Sequence, residues 1–112
     1  MGLYAFSKEE RIRRRTDFLK ISREGERYQT VHFRVTICPN NLSLKRLGIA
    51  VGKGVGPAVK RNRVKRLVRE FFRLNKGELP GSHDFVITAK EGAADLDYWE
   101  AAEELKGILG KR

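Results

Sequence analysis

The sequence predicts a single α/β domain, a mixed sheet with helices packed on it. Three observations carry that expectation. Two short segments, 31–38 and 46–52, alternate side chains with the period of two that a strand requires. A long segment, 58–75, places its apolar residues at helical spacing. The chain has 112 residues, of which 40% are hydrophobic, enough for one core and not for two. No internal repeat or low-complexity linker divides it, so one domain over residues 1–112 is expected.

Taken in order, Thr16-Asp17-Phe18 reads as a helix start with Thr16 at the N-cap, and Gly25 as its stop. In 31–38, Val31, Phe33, Val35 and Ile37 share one face, and His32, Arg34, Thr36 and Cys38 the other. Pro39-Asn40-Asn41 marks a turn. In 46–52, Leu47, Ile49 and Val51 oppose Gly48, Ala50 and Gly52. That second face is nearly bare of side chains, which invites the close approach of something bulky. Pro57 suits the first position of the helix over 58–75, and Gly77 its end. Pro80-Gly81 turns the chain into a strand over Asp84 to Ala89. Asp97 and Glu100 have capping-box spacing and open a last helix, with Tyr98, Ala101, Ala102, Leu105, Ile108 and Leu109 along one face. The predicted order is helix, two strands, helix, strand, helix.

Composition excludes several classes. The single cysteine, Cys38, can form neither an intrachain disulfide nor a Cys-rich zinc site. No apolar run approaches the ~20 residues that span a bilayer. The N-terminus runs from Met1 to Phe6 directly into Ser7-Lys8-Glu9-Glu10, without the apolar core of a signal peptide. A soluble protein of a reducing, cytoplasmic compartment is expected.

Charge then points to the partner. Lys and Arg number 24 against 14 Asp and Glu, a net +10. The excess is local: residues 53–76 hold nine basic side chains and one acidic, whereas 77–112 hold four basic and eight acidic. Such a patch fits a polyanion. Within the helix, Arg61, Lys65, Arg69 and Arg73 form an i, i+4 ladder flanked by Asn62 and Arg66. Val64, Leu67, Val68, Phe71 and Leu74 lie opposite. Like charges at this spacing each cost a few tenths of a kcal/mol, and only Glu70 offsets them. A merely solvated face would mix acids with bases. A helix lying on an anionic membrane would need its apolar side, which so small a core cannot spare. Nucleic acid relieves the repulsion best, and the preference for Arg suits phosphate contact and base stacking. Arg34, Thr36 and the small-residue strand offer a floor for a single strand, and Phe18 a stacking platform or a packing residue.

The run Ala58-Val59-Lys60-Arg61-Asn62-Arg63-Val64-Lys65-Arg66-Leu67-Val68-Arg69-Glu70-Phe71-Phe72-Arg73 closely resembles the Arg-Asn-Arg signature helix of the protein subunit of bacterial ribonuclease P. Arg11-Ile12-Arg13 with Asp17-Phe18 resembles that family's N-terminal element. Arg46 to Val51 resembles its strand before the signature, and Leu79-Pro80 and Asp84-Phe85-Val86 extend the likeness. The resemblance implies an α-β sandwich whose parallel strands are joined by an unusual left-handed crossover through the signature helix, against the general right-handed rule. It implies an accessory subunit of a tRNA 5′-processing endoribonuclease whose catalytic site belongs to a large RNA. Lys53, Lys60, Arg61, Asn62, Arg63, Lys65, Arg66, Arg69 and Arg73 would then contact the catalytic RNA. Phe18, Arg34 and Thr36 would hold the single-stranded 5′ leader of precursor tRNA. Many members carry a second aromatic one turn after Phe18, where this chain has Ser22.

The residues themselves suggest no catalytic constellation. His32 and His83 are far apart in sequence, and Glu70 is the one carboxylate of the basic segment. Mg²⁺ is therefore expected mainly on the RNA, with this chain's cations lowering the amount required. No organic cofactor, membrane or obligate protein partner is expected. The alternative is a non-catalytic structural RNA-binding protein of ribosomal type.

Overall fold

Strand β2 (Phe33–Pro39) is the centre around which the sheet assembles. Antiparallel neighbours flank it, β1 (Glu26–Gln29) and β4 (His83–Ala89), and β3 (Arg46–Val51) pairs parallel with β4. The strand order is therefore β1-β2-β4-β3. Helix α1 (Arg15–Glu24) precedes the sheet, α2 (Ala58–Leu74) joins β3 to β4, and α3 (Tyr98–Leu105) closes the chain. The structure is a computed structural model and describes residues 10–79 and 81–108. Leu109, Pro80, the first nine residues and the side chain of Ile108 lie outside the described residues.

Register divides the sheet into two faces. Phe33, Val35, Ile37, Leu47, Phe85 and Ile87 form the inner one. They meet Val64, Val68, Phe71 and Phe72 of α2, and Ala101 and Leu105 of α3. Burying each such Phe, Leu or Ile contributes about 1.5–3 kcal/mol, so this layer dominates stability. The outer face carries a smaller cluster of Ile12, Ile21, Cys38 and Val86, with Phe18 packed against it under α1.

The predicted α/β class, mixed sheet and parallel connection through the basic helix are present. Four details differ. Strand β1 was not expected, because Glu26-Arg27-Tyr28-Gln29 has one apolar residue and no alternation strong enough to read. Helix α1 starts at Arg15 with Arg14 at the cap; the Arg14 carbonyl takes the Asp17 and Phe18 amides, so Thr16 is inside the helix. Pro57 is extended, at ψ 170°, and forms the N-cap of α2 rather than its first turn. Finally, Leu74 is 43% exposed while Phe72 is fully buried, and Val31 lies before β2, 77% exposed. The end of α2 agrees with the expected 58–75: Asn75 is its C-cap, and its side-chain amide donates to the Phe71 carbonyl. The capping box at Asp97 and Glu100 forms as predicted, with both reciprocal hydrogen bonds at 2.9 Å.

Candidate nucleic-acid interface

Two sites grow out of this architecture, one on each side of β3. The first is a cleft on the outer face. Residues paired across neighbouring strands point the same way, so the register lays out rows. One row reads Arg27, Thr36, Val86, Gly48, and the next reads Gln29, Arg34, Thr88, Ala50. Helix α1 covers the start of this face and leaves the second row open, with Gln29 and Arg34 exposed. Between them lies a cleft of about 130 Å³ lined by Phe18, Ser22, Arg27, Arg34, Thr36, Val86 and Thr88. Three residues singled out from sequence, Phe18, Arg34 and Thr36, are thus brought together.

Gly48 explains how Phe18 reaches that position. A Cβ there would sit 2.7 Å from two ring atoms of Phe18. The bulky group expected over the bare face of β3 is therefore the chain's own Phe18, which both packs and lines the cleft. Thr36 is buried at the floor, so it offers a surface only from within the cleft. Arg27 is a cleft residue that sequence reasoning missed, because strand β1 itself was missed. Its Nη2 donates to the Ser22 carbonyl at 2.5 Å.

The second site faces α2. The Ile12 amide donates to the Leu47 carbonyl, and Arg11 pairs parallel with Leu47, so residues 11–13 lie along the free edge of β3. Strand alternation turns Ile12 toward the α1 cluster and Arg11 and Arg13 toward α2. There they meet Lys65 and Arg69 around a hollow of about 150 Å³ floored by Leu47 and Ile49. Among the described residues four cations line it and no carboxylate does.

The rest of the basic helix is less uniform than the sequence suggests. Asn62, Arg66 and Arg69 are exposed, as is Lys53 on the preceding turn. Arg61 is half-buried, with its Nε lacking a hydrogen-bond partner. Lys60 lays its aliphatic stem over Gly56, whose φ of 137° excludes most other residues. Arg63 is committed to the fold: its Nε donates to the Ala94 carbonyl at 3.0 Å and its Nη2 to the Leu96 carbonyl at 2.8 Å. Arg73 is paired with Glu70 at 2.7 Å, which offsets part of its charge.

Two polar networks fix the frame. Arg46 makes a bidentate pair with buried Asp84, 2.8 and 2.7 Å, and reaches Asp17 of α1 at 3.6 Å. The Asp84 hydrogen bond holds the Arg46 guanidinium above its ordinary value. At the far end, Glu104 of α3 accepts from the Thr30 hydroxyl at 2.6 Å and the His32 amide at 2.9 Å, and lies 2.5 Å from His32 Nδ1. Burial alone would raise its carboxyl, but these hydrogen bonds outweigh burial and hold it below the ordinary range.

Sequence comparison decides the family. The profile described as Ribonuclease P matches residues 6–112, almost the whole chain. The chain belongs to the ribonuclease P protein family. The ribonuclease P protein component of Syntrophus aciditrophicus is 47% identical over 111 residues, covering 99% of this chain and 93% of that protein. The component from Thermotoga maritima is 39% identical, covering 94% and 93%. Among solved structures, the ribonuclease P protein from Thermotoga maritima superposes with TM-score 0.83 at 38% identity, covering 92% of this chain and 97% of that one. The ribonuclease P protein of Staphylococcus aureus gives TM-score 0.82 at 33% identity, covering 89% and 92%. None of these relatives is a ribosomal protein. The ribonuclease P fold thus carries both the cleft and the hollow described above.

Proposed function

We propose that this chain is the RNA-binding subunit of ribonuclease P, assisting a catalytic RNA in removing the 5′ leader of precursor tRNA. The observation that carries the reading is the pairing of two sites across one strand. A cationic hollow faces α2 and an aromatic cleft faces the opposite side. The exposed cations of α2, together with Arg11 and Arg13, meet the phosphates of the catalytic RNA. A hollow lined by four cations and an apolar floor holds a phosphate group more firmly than a flat surface does. The cleft takes the leader, with Phe18 stacking on a base and Arg34 and the Thr36 hydroxyl contacting the strand.

The chemistry of bond cleavage belongs to the RNA. Among the described residues no group of three or more His, Cys, Asp or Glu is placed to hold a metal ion. Nor, among the described residues, does a carboxylate line either site. Mg²⁺ is held mainly by the RNA, and this chain's positive charge lowers phosphate repulsion, so less Mg²⁺ is needed. No described helix is long and apolar enough to cross a membrane; the protein works in the cytoplasm, where its RNA partners are made, and needs no obligate protein partner.

The test is cleavage of a 5′-extended precursor tRNA at low Mg²⁺ with catalytic RNA alone, protein alone and both together. Cleavage only in the third reaction is expected. Cleavage by the protein alone would overturn the assignment of chemistry to the RNA. Tight RNA binding without any enhancement would return the ribosomal-type reading.

A further inference from the structure

We infer that Arg27 forms the second wall of the leader cleft, stacking its guanidinium on a leader base across from Phe18; this rests on the reading of the cleft given above. The register places Arg27 and Gly48 at opposite ends of one row, three strand spacings or about 14 Å apart at their Cα atoms. Phe18 stands over Gly48, so aromatic ring and guanidinium approach the floor of Thr36 and Val86 from opposite sides. The Arg27 side chain is aimed rather than free. Pairing with Thr36 turns it onto the cleft face, and its Nη2 is held by the Ser22 carbonyl. Ser22 itself, one helical turn after Phe18, is too short to fill that side of the cleft, and the guanidinium takes the space beside it.

Its charge is also unspent. Among the described residues no carboxylate pairs with Arg27, although Glu24 and Glu26 are near it in sequence; Glu24 approaches Arg23 instead. A planar cation held by one hydrogen bond keeps a face open for a base and further N–H groups for a phosphate. A base entering between ring and guanidinium is stacked without regard to its identity, with Thr88 and Arg34 beside it in the next row. The ligand class is an unpaired ribonucleotide of the leader.

The experiment uses protein reassembled with the catalytic RNA and reads the ratio of affinities for precursor tRNAs with long and short leaders. Wild type, Phe18→Ala, Arg27→Ala and Arg27→Lys are compared, each first shown to unfold at the wild-type denaturant midpoint or to be corrected for it. Arg27→Ala is expected to reduce the ratio about tenfold, the loss of one base stack, and Arg27→Lys to leave it reduced, since lysine restores charge without the plane. A ratio lost in Phe18→Ala but intact in Arg27→Ala would overturn the role of Arg27 and leave the cleft reading standing. Full rescue by lysine would overturn the stacking role. A ratio intact in both Phe18→Ala and Arg27→Ala would overturn the cleft reading and the inference with it.

Discussion

Gly48→Ala is expected to dislodge Phe18 from the cleft, and the size of the effect follows from the distances. The new methyl would lie 2.7 Å from Cε1 and Cζ of the Phe18 ring and 3.2 Å from Ile12 Cβ. Carbon atoms rest at about 3.5–4.0 Å, so the ring must retreat by about 1 Å. It cannot sink, because Val86 and Ile12 are packed beneath it. The remaining path is outward, into the cleft it lines. Overpacking of this kind costs about 1–3 kcal/mol. Urea unfolding should show that loss as a lower midpoint with an unchanged slope. Affinity for a leader-bearing substrate should fall, because the displaced ring occupies space meant for a base. In a Phe18→Ala background the ring clash is gone and only the 3.2 Å contact with Ile12 Cβ remains, which a small shift of the freed segment relieves. There Gly48→Ala should be neutral or gain the ~0.5–1 kcal/mol that alanine has over glycine within a strand. The two mutations are thus coupled with a change of sign. Equal destabilisation in both backgrounds would refute the claim that Gly48 exists to seat Phe18.

Three further outcomes are expected. Asp84→Ala removes the partner of a half-buried Arg46 and should cost about 3–5 kcal/mol in denaturant unfolding, far more than a surface pair would. Glu104→Gln should destabilise by about 1–3 kcal/mol at neutral pH. Because the Glu104 carboxyl is lowered in the fold, its contribution is complete above the ordinary carboxylate value and is lost as pH falls through the lowered one, so the variant's unfolding free energy should be flatter on the acid side. Arg66→Ala should leave stability alone and reduce the salt slope of RNA binding by about 0.7–0.9. Arg63→Ala should do the reverse, costing about 1–3 kcal/mol of stability through its two carbonyl bonds with a smaller change in slope.

The contrast between Arg63 and Arg66 shows where sequence reading stops. Both sit in the same basic run, and helical periodicity alone gives each a place on an amphipathic wheel. What separates them is the stretch from the turn over Ala93–Asp95 to Leu96, some thirty residues later, which offers Arg63 the Ala94 and Leu96 carbonyls. Long-range pairing of this kind leaves no local pattern. The same holds for Arg11 and Arg13. They became part of a cation-lined hollow only because residues 11–13 line the edge of β3, a pairing made through one residue and invisible as periodicity. By contrast β2, β3, β4 and α2 were legible, because each buries a whole face against the core and so must repeat its apolar residues at the matching period. The cleft residues Phe18, Arg34 and Thr36 were legible through the family resemblance and the polar face of β2. Arg27 was not, because the polar edge strand that carries it buries only Tyr28 in part.

In the proposed reading, that incomplete burial is what leaves room for RNA. A parallel pair such as β3 and β4 is ordinarily covered on both faces. Here α2 and α3 cover most of the inner face, leaving Ile49 and Val51 partly buried, while the ten residues of α1 cover only part of the outer one. A second helix over Gln29, Arg34, Thr88 and Ala50 would bury more surface and strengthen the domain. It would also close the face on which, in the proposed reading, an extended strand lies across successive β-strands. Of the residues left open there only Ala50 is apolar, and it is small, so the exposure does not invite aggregation; Arg34 lies among them without a carboxylate partner among the described residues. Charge is divided in the same way: five of the eight acidic residues of the last third, Asp95, Asp97, Glu100, Glu103 and Glu104, lie on α3 or just before it, while the cleft and the hollow are lined by arginines and a lysine. The domain therefore takes most of its stability from the inner face of the sheet, and in the proposed reading RNA lies on the part of the outer face that α1 leaves open.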